Sequence, residues 1–294
     1  MLFAMTVMAA AQKDGRSSAA EKPTPDIVDG KYGEHQRNTF DLWRPKAKKA
    51  TPLVVFIHGG GFVNGDKDKL SASLLDQFLK NGYAVMSINY RLFPEVKLPE
   101  LYMDAARAIQ FARLNAKDWN IDKARVALTG SSAGALTALW IGFHDDLADP
   151  KNSDAVLRES TRVMAIAVFS AQTTLDPDVL QNEVGSAVFK HSFANGKIFG
   201  LKAASPELKA KMLESSPTTY LSAGDPPVWA MYTVEDRPMT EETSVSDAIH
   251  HPNFGKALKK RMDALKIECK LRHKNDGENV NSDLLAFFNR YLKK

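Results

Sequence analysis

The stretch Thr129-Gly130-Ser131-Ser132-Ala133-Gly134 decides the fold of this chain of 294 residues. An apolar run, 125–128, precedes it, and a helical-looking run, 135–143, follows it. A strand, a sharp turn bounded by glycines and a helix form the context in which Gly-x-Ser-x-Gly presents a serine above a sheet. Neither glycine has a Cβ, so the strand and the helix can pass close together. The pattern predicts that Ser132 is a nucleophile, and the alternative is a glycine-serine turn without chemistry.

A second motif stands at the end of another predicted strand. The apolar run 52–57 leads into His58-Gly59-Gly60-Gly61-Phe62. Three successive glycines leave backbone N–H groups uncovered, and such groups can stabilise a developing oxyanion. The alternative is a flexible glycine loop, but the two motifs follow strands in the right order, and their co-occurrence is more specific than either motif alone. We expect His58 to hold the loop through its ring nitrogens.

With these motifs the chain resembles the α/β-hydrolase family, in particular bacterial esterases similar to hormone-sensitive lipase and to feruloyl and acetyl esterases. The resemblance extends from about Tyr32 to the C-terminus. It implies an α/β fold with a mostly parallel central sheet, helices on both faces and a small cap. The residues that carry it are His58-Gly59-Gly60-Gly61-Phe62, Gly65-Asp66-Lys67, Asn89-Tyr90-Arg91-Leu92, Pro99, Asp104 and Gly130-Ser131-Ser132-Ala133-Gly134.

Alternating elements along the chain independently predict a mostly parallel sheet. A weakly alternating segment, 26–44, predicts an antiparallel edge hairpin before it. The stretch 178–216 is too long for a simple connection and is expected to form a cap-like insertion over the carboxyl edge of the sheet. Within one hydrolase domain, 26–294, Phe189, Phe193 and Phe199 are candidates either for a substrate pocket or for the insertion's own core.

Serine-dependent ester hydrolysis needs a nucleophile, a base, an acid that orients the base, and oxyanion donors. Ser132 is the predicted nucleophile, and the backbone N–H groups of Gly60, Gly61 and Ala133 are the predicted donors. By its spacing from the strand at 228–232, Asp236 matches the aspartate of the resembling family, with the adjacent Glu235 as the second candidate.

The base is not where the resemblance places it. The family's histidine follows the last strand, but the register here puts Asn279 at that position, and His273 lies too near the strand. An asparagine cannot accept and return a proton near neutral pH. His251 or His250, at the end of the loop after the acid strand, is the predicted substitute, although both could serve only packing and helix capping.

The composition excludes several other classes of protein. Hydrophobic residues make up 44% of the chain and the net charge is +4, which is ordinary for a globular protein, and no basic patch indicates nucleic-acid binding. The single cysteine, Cys269, excludes an internal disulfide, and no Cys or His spacing predicts a metal site. We expect no cofactor, no membrane span, and a small-molecule ester as the partner.

The first 25 residues predict a signal-like segment and a polar tail. The run 2–11 is apolar and too short to span a bilayer, and Ala9-Ala10-Ala11 resembles a signal-peptidase site. No basic residue precedes the apolar run, so a disordered tail is the alternative. The sequence favours export to the periplasm or the medium.

Two functions are therefore open. The favoured one is serine-dependent hydrolysis of a carboxylic ester with a small acyl group, with acetylated or feruloylated carbohydrates as candidate substrates. The other is a catalytically impaired hydrolase fold that binds a ligand, because the usual C-terminal histidine is missing. The distance between a histidine ring nitrogen and the Ser132 hydroxyl discriminates between them.

Overall fold

The computed structural model describes residues 21–203, 205–276 and 280–293. The signal-like run 2–11 and Asn279 lie outside the described residues, so the predictions made for them stay predictions. In the part of the chain that is described, no helix is long and apolar enough to cross a bilayer.

The centre of the fold is one eight-stranded sheet in the order β1-β2-β4-β3-β5-β6-β7-β8. The first two strands form the antiparallel edge, with β2 also antiparallel to β4, and all other neighbours are parallel. This arrangement confirms the predicted fold class. The strands are β1 Ile27–Lys31, β2 Thr39–Trp43, β3 Thr51–Ile57, β4 Ala84–Ile88, β5 Ile121–Ser131, β6 Ala165–Phe169, β7 Val228–Tyr232 and β8 Cys269–His273.

Helices connect the parallel strands and cover both faces of the sheet. They are α1 Ala72–Lys80, α2 Glu100–Leu114, α3 Ala133–Phe143, α4 Pro177–Val179, α5 Pro206–Glu214, α6 Pro217–Tyr220, α7 Val245–Ile249, α8 Asn253–Ala264 and α9 Val280–Leu292. One buried cluster includes residues of α2, α3 and α8, and a second, on the opposite face, includes residues of α1 and α9. The apolar residues alternate between these clusters along β3, which is why all seven of its residues are buried.

The segment between β6 and β7 is built of short helical pieces. A π-helical turn, Leu180–Val184, continues α4, and two 3₁₀ turns, Ser186–Lys190 and Lys197–Phe199, precede α5. Phe193 and Phe199 are buried, and both belong to the main cluster. The segment therefore packs onto the sheet domain as a continuation of its core.

The β5–α3 turn brings two backbones unusually close. A Cβ on Gly134 would lie 2.0 Å from the carbonyl oxygen of Ile57, and one on Gly130 would lie 2.7 Å from the backbone carbon of Gly134. Both obstacles are backbone atoms of buried elements, so neither can turn aside as a flexible side chain could. Glycine is therefore required at both positions for α3 to start directly above β5.

We expect Gly134→Ala to destabilise the fold by about 3 kcal/mol or more, because overpacking against buried backbone has no cheap relaxation. Urea unfolding monitored by circular dichroism measures the change. Gly142→Ala in the same helix is the matched control, since its Cβ would meet mainly the mobile end of the Ile166 side chain. Equal stability of the two variants would contradict this account of the turn.

Candidate active site

Ser132 occupies a strained backbone conformation at the end of β5. Its φ is +52° and its ψ is −120°, in a region that disfavours residues with a Cβ. Its N–H donates to the carbonyl of Phe169 at 3.0 Å, and its own carbonyl accepts from Leu136 at 2.9 Å. These two bonds hold the residue between β6 and the first turn of α3, so the strain is maintained by the surrounding structure.

The glycine loop after β3 lies directly beside this turn. Gly60 has a φ of +116° and Gly61 a φ of +59°, which residues with a Cβ rarely adopt. The carbonyl of Gly60 accepts from the N–H groups of Val63 and Asn64 at 3.1 and 3.2 Å. Gly60, Gly61 and Ala133 line the same cavity as Ser132. The structure thus brings the three predicted donors and the predicted nucleophile to one place.

A half-buried arginine and a buried histidine brace the glycine loop. Nδ1 of His58 lies 2.7 Å from the carbonyl oxygen of Gly59, and its ring stacks on Tyr90 with centroids 4.3 Å apart. The guanidinium of Arg37 donates to the carbonyls of Tyr90 and Gly65 at 2.8 and 2.9 Å. Burial lowers the pKa of His58 to about 4, so the ring is neutral at neutral pH. These contacts support the expectation that His58 holds the loop.

His250 is the histidine that contacts the serine. Its Nε2 lies 2.9 Å from Ser132 Oγ. Its ring also hydrogen-bonds the backbone of Ser246, one turn earlier at the start of α7. Burial lowers the pKa of His250, and this effect outweighs the opposing influence of that hydrogen bond and of Asp247. A ring that donates to a carbonyl through one nitrogen presents the other as an acceptor, which suits it to take the hydroxyl proton.

Gln172 fixes the chain next to His250 through hydrogen bonds that no sequence motif predicts. The residue is only 3% exposed, and its Nε2 donates to the carbonyl of Ile249 at 2.6 Å and to that of Ser170 at 3.3 Å. It therefore ties the loop after β6 to the end of α7. A lone glutamine after a strand carries no motif, so only the three-dimensional arrangement reveals it.

His251 points away from the serine. It is 2% exposed, its Nε2 lies 2.9 Å from the carbonyl oxygen of Arg237, and its Nδ1 accepts from the N–H of Asn253 at 3.1 Å. Both ring nitrogens are thus occupied by backbone groups, Nε2 in the loop after β7 and Nδ1 at the start of α8. Of the two candidate bases, the structure brings only His250 to Ser132, and His251 has the capping and packing position that was its alternative.

Neither of the predicted acids, Asp236 and Glu235, hydrogen-bonds to His250. Asp236 is 47% exposed at its side chain and forms an ion pair with Lys256, with Oδ1 and Nζ 2.6 Å apart. The Lys256 ammonium holds the pKa of Asp236 below its usual range. Glu235 is exposed in the same loop. Among the described residues, no carboxylate accepts a hydrogen bond from the His250 ring.

His273 also lies away from the site. It is the last residue of β8, and its Nε2 lies 2.6 Å from the carbonyl oxygen of Val234. Its Nδ1 accepts from the N–H of Asn275 at 3.3 Å. The ring therefore links the loops after β7 and β8 and does not reach Ser132, as its nearness to the strand suggested.

A cavity of about 450 Å³ opens over Ser132, the size of a small-ligand site. The glycine loop forms one wall, and residues from the β6–β7 segment and α7 form the others. Its larger apolar side chains are Phe62, Val63, Leu136, Phe193, Ile198 and Ile249, and its polar side chains are Asn64, Ser131, Ser132, Gln172, His191, Ser192 and His250. Across the described ranges, no group of three His, Cys, Asp or Glu side chains could hold a metal ion.

The family of the chain follows from comparison with known sequences. A family model described as BD-FAE matches residues 40–248, more than half of the chain and the part that contains both the serine turn and the glycine loop. The chain belongs to the BD-FAE family. This agrees with the resemblance to α/β-hydrolase esterases that the two motifs carry.

Curated relatives are esterases that match parts of this BD-FAE chain. "Esterase LipC" of Mycobacterium tuberculosis is 32% identical over 37% of the chain and 28% of its own length. "Probable carboxylic ester hydrolase LipM" of the same organism is 26% identical over 72% of the chain and 47% of its own length. The chain thus spans less than half the length of these relatives.

Solved structures share the fold over nearly the whole chain. A "Truncated form of carbohydrate esterase from gut microbiota" has a TM-score of 0.73 at 21% identity, covering 92% of this chain and 98% of that one. An "acetyl ester-xyloside bifunctional hydrolase from Caldicellulosiruptor lactoaceticus" has a TM-score of 0.62 at 25% identity, covering 87% and 84%.

The brace of the glycine loop predicts a stability effect. Arg37→Met leaves the carbonyls of Tyr90 and Gly65 without their charged donor, so we expect a loss of about 2 kcal/mol in the free energy of unfolding. Arg290→Met is the control, because that guanidinium pairs with Glu268 at the surface and its loss should cost under about 1 kcal/mol. Urea titrations of both variants provide the comparison, and equal midpoints would contradict the bracing role.

Proposed function

We propose that the protein hydrolyses carboxylic esters with a small acyl group, through an acyl-enzyme formed on Ser132. The observation that carries the proposal is the 2.9 Å contact between Ser132 Oγ and His250 Nε2, at a serine held with a φ of +52°. Membership of the BD-FAE family and the curated relatives named as esterases support it.

The first half of the reaction forms the acyl-enzyme. Ser132 Oγ attacks the carbonyl carbon of the ester while His250 Nε2 accepts the hydroxyl proton. The carbonyl oxygen becomes an oxyanion and receives hydrogen bonds from the N–H groups of Gly60, Gly61 and Ala133. As the tetrahedral intermediate collapses, the protonated His250 gives its proton to the leaving alcohol oxygen.

The second half of the reaction releases the acid. A water molecule takes the place of the alcohol, His250 accepts one of its protons, and the resulting hydroxide attacks the acyl carbon. The same donors stabilise the second oxyanion. Collapse returns the proton to Ser132 and frees the carboxylic acid, so atoms and charge balance over the cycle.

The proposed base is oriented by backbone and not by a carboxylate. The hydrogen bond from the His250 ring to the Ser246 carbonyl fixes the tautomer, a function that an aspartate performs in the familiar triad. Asp236 serves instead to hold the loop after β7 against α8 through Lys256. The catalytic set that we propose is therefore a Ser132–His250 pair.

The cavity favours a small acyl group. Its volume of about 450 Å³ must hold the acyl group and part of the alcohol, and its walls include Leu136 and Ile198. The acetyl ester-xyloside bifunctional hydrolase, at 25% identity, is named for an acetyl ester and a xyloside. We therefore propose acetylated carbohydrate as the substrate class.

The alternative is a binding protein that lost catalysis with the C-terminal histidine. The contact between Ser132 and His250 favours the enzyme, because a base occupies the required position by another route. The maintained strain at Ser132 points the same way, since a binding site has no need of it. Absence of ester turnover in correctly folded protein would favour the binding function.

The histidine assignment is tested with 4-nitrophenyl acetate. We expect Ser132→Ala and His250→Ala each to lower kcat by about 10³-fold or more, because both remove proton transfer from the nucleophile. His251→Gln should keep kcat within about threefold, since Gln can still donate to the Arg237 carbonyl. Circular dichroism and melting temperatures check that each variant is folded. A large loss in His251→Gln with an active His250→Ala would overturn the assignment.

The pH profile provides a separate test. His250 must be neutral to accept a proton, so kcat/KM falls as the pH drops through its pKa. Because burial lowers that pKa from 6.5, the acidic limb should have its midpoint below pH 6.5. In Asp236→Asn we expect the same limb and nearly the same kcat, since Asp236 pairs with Lys256. An acidic limb centred above pH 6.5 would indicate that Asp236 takes part in the mechanism. So would a decrease in kcat of about 10⁴-fold in Asp236→Asn, the size of effect seen when the aspartate of a catalytic triad is replaced.

A further inference from the structure

His191 is a second histidine in the cavity, and the reaction described above does not use it. It comes from the β6–β7 segment and lines the cavity together with Ser132 and His250. Its side chain is half-buried, and its ring packs against Phe193 with centroids 4.9 Å apart. The backbone at His191 is held in place, because the His191 carbonyl accepts hydrogen bonds from the N–H groups of Ala194 and Asn195, both at 3.0 Å.

The hydrogen bonding of the ring determines where its proton lies. Nδ1 of His191 accepts from the N–H of Phe193 at 3.3 Å, so its lone pair is already engaged. Burial and the nearby His250 both lower the pKa of His191, so the ring is neutral at neutral pH. A neutral imidazole carries one proton, which is therefore on Nε2. Within the part of the chain that the structure describes, no acceptor lies within hydrogen-bonding distance of Nε2.

An acceptor lines the same cavity. Both contacts of the Gln172 amide nitrogen are with carbonyl oxygens, at 2.6 and 3.3 Å, which assigns the nitrogen and leaves Oε1 as an acceptor. Asn64, Ser131 and Ser192 also line the cavity, beside apolar side chains such as Leu136 and Ile249. A free donor on His191 and an acceptor on Gln172 in one cavity match a hydroxyl group, which both donates and accepts.

The geometry of the reaction decides which part of the ester meets this pair. The carbonyl oxygen is directed at Gly60, Gly61 and Ala133, and the leaving oxygen must lie at His250 Nε2, which protonates it. His191 and Gln172 line the cavity together with His250, and Gln172 also donates to the carbonyl of Ile249, the residue before His250. They therefore flank the alcohol side of the scissile bond.

We infer that His191 is a specificity-determining binding residue whose Nε2–H donates to a hydroxyl on the alcohol portion of the ester, while Gln172 Oε1 accepts from that hydroxyl. The ligand class is an ester of a polyhydroxy alcohol that bears a hydroxyl neighbouring the acyl group, such as a partly acetylated sugar. This inference rests on the proposed ester hydrolysis and assigns its alcohol specificity to the insertion.

The test compares two acetyl esters that differ in the alcohol. One is 4-nitrophenyl acetate, which has no hydroxyl, and the other is monoacetylated xylobiose with a free neighbouring hydroxyl. His191→Phe keeps a flat ring but removes the donor, whereas His191→Gln returns an amide N–H near the place of Nε2. His144→Phe is the matched control, because His144 packs on Trp140 and Tyr220 outside the cavity lining.

We expect His191→Phe to lower kcat/KM on the sugar ester by about tenfold or more, because a hydroxyl loses its partner in a desolvated place. On 4-nitrophenyl acetate kcat/KM should change by no more than about threefold, which is less than the loss of one weak hydrogen bond would cause. His191→Gln should recover most of the loss, and His144→Phe should show none. Equal losses on the two esters, or no loss on the sugar ester, would overturn the inference.

A binding measurement separates this inference from the proposed function. In Ser132→Ala, where no acyl-enzyme forms, calorimetric titration with monoacetylated xylobiose should show about tenfold weaker binding after His191→Phe. If the unsubstituted protein turns over neither ester but this difference in binding is present, the hydrolysis proposal fails and the alcohol subsite stands. If turnover is present but binding is unaffected by His191→Phe, the subsite fails and the hydrolysis proposal stands.

Discussion

The site depends on the close contact between the Gly134 backbone and the Ile57 carbonyl. A Cβ on Gly134 would lie only 2.0 Å from that carbonyl oxygen. The contact allows α3 to begin directly above the junction of β3 and β5, so the chain must turn within one residue. Ser132 absorbs that turn with a φ of +52°. Because β3 also leads into the glycine loop, one close packing contact places the proposed nucleophile and the proposed oxyanion donors side by side. The strain at the serine is the consequence of this packing and is offset by the buried core around it.

The proposed base, His250, is held by a different part of the molecule, and its hydrogen-bond partner there is a backbone carbonyl. Gln172 ties the carbonyl of Ile249 to the loop after β6, and the carbonyl of Ser246 receives the hydrogen bond of the His250 ring. A carbonyl orients an imidazole as a carboxylate does, but it carries no full charge to stabilise the imidazolium that forms. The lowered pKa of His250 fits such an environment. The arrangement orients the His250 ring towards Ser132 but leaves it a weaker base. A weaker base suffices for esters whose leaving alcohol is readily protonated.

The fold, and the positions of the serine turn and the glycine loop in the candidate site, could be predicted from the sequence because their signals are local. The turn at Ser132 and the glycine loop each need particular residues within six positions, and the strand-helix alternation gives the parallel sheet. The candidates for the base could be narrowed only to two adjacent residues, His250 and His251. Side chains of neighbouring residues at a helix end point about 100° apart, and the sequence does not say which one faces the serine. Asp236 was selected by its distance from a strand, but the ion pair with Lys256, in another element, decides where its carboxylate lies. Contacts between distant elements carry no local signal.

The β6–β7 insertion and the proposed base, His250, contribute to the same cavity. A histidine that follows the last strand would reach the serine from one edge of the sheet, whereas His250 reaches it from α7, beneath the β6–β7 segment. The same segment supplies His191 and Phe193, which line the cavity together with His250. Burial at this position lowers the pKa of His250. In the proposed reaction the neutral His250 ring accepts the proton of Ser132, while the neutral His191 ring donates to a hydroxyl of the alcohol. A base placed at the end of α7 therefore shares one cavity with the proposed alcohol subsite.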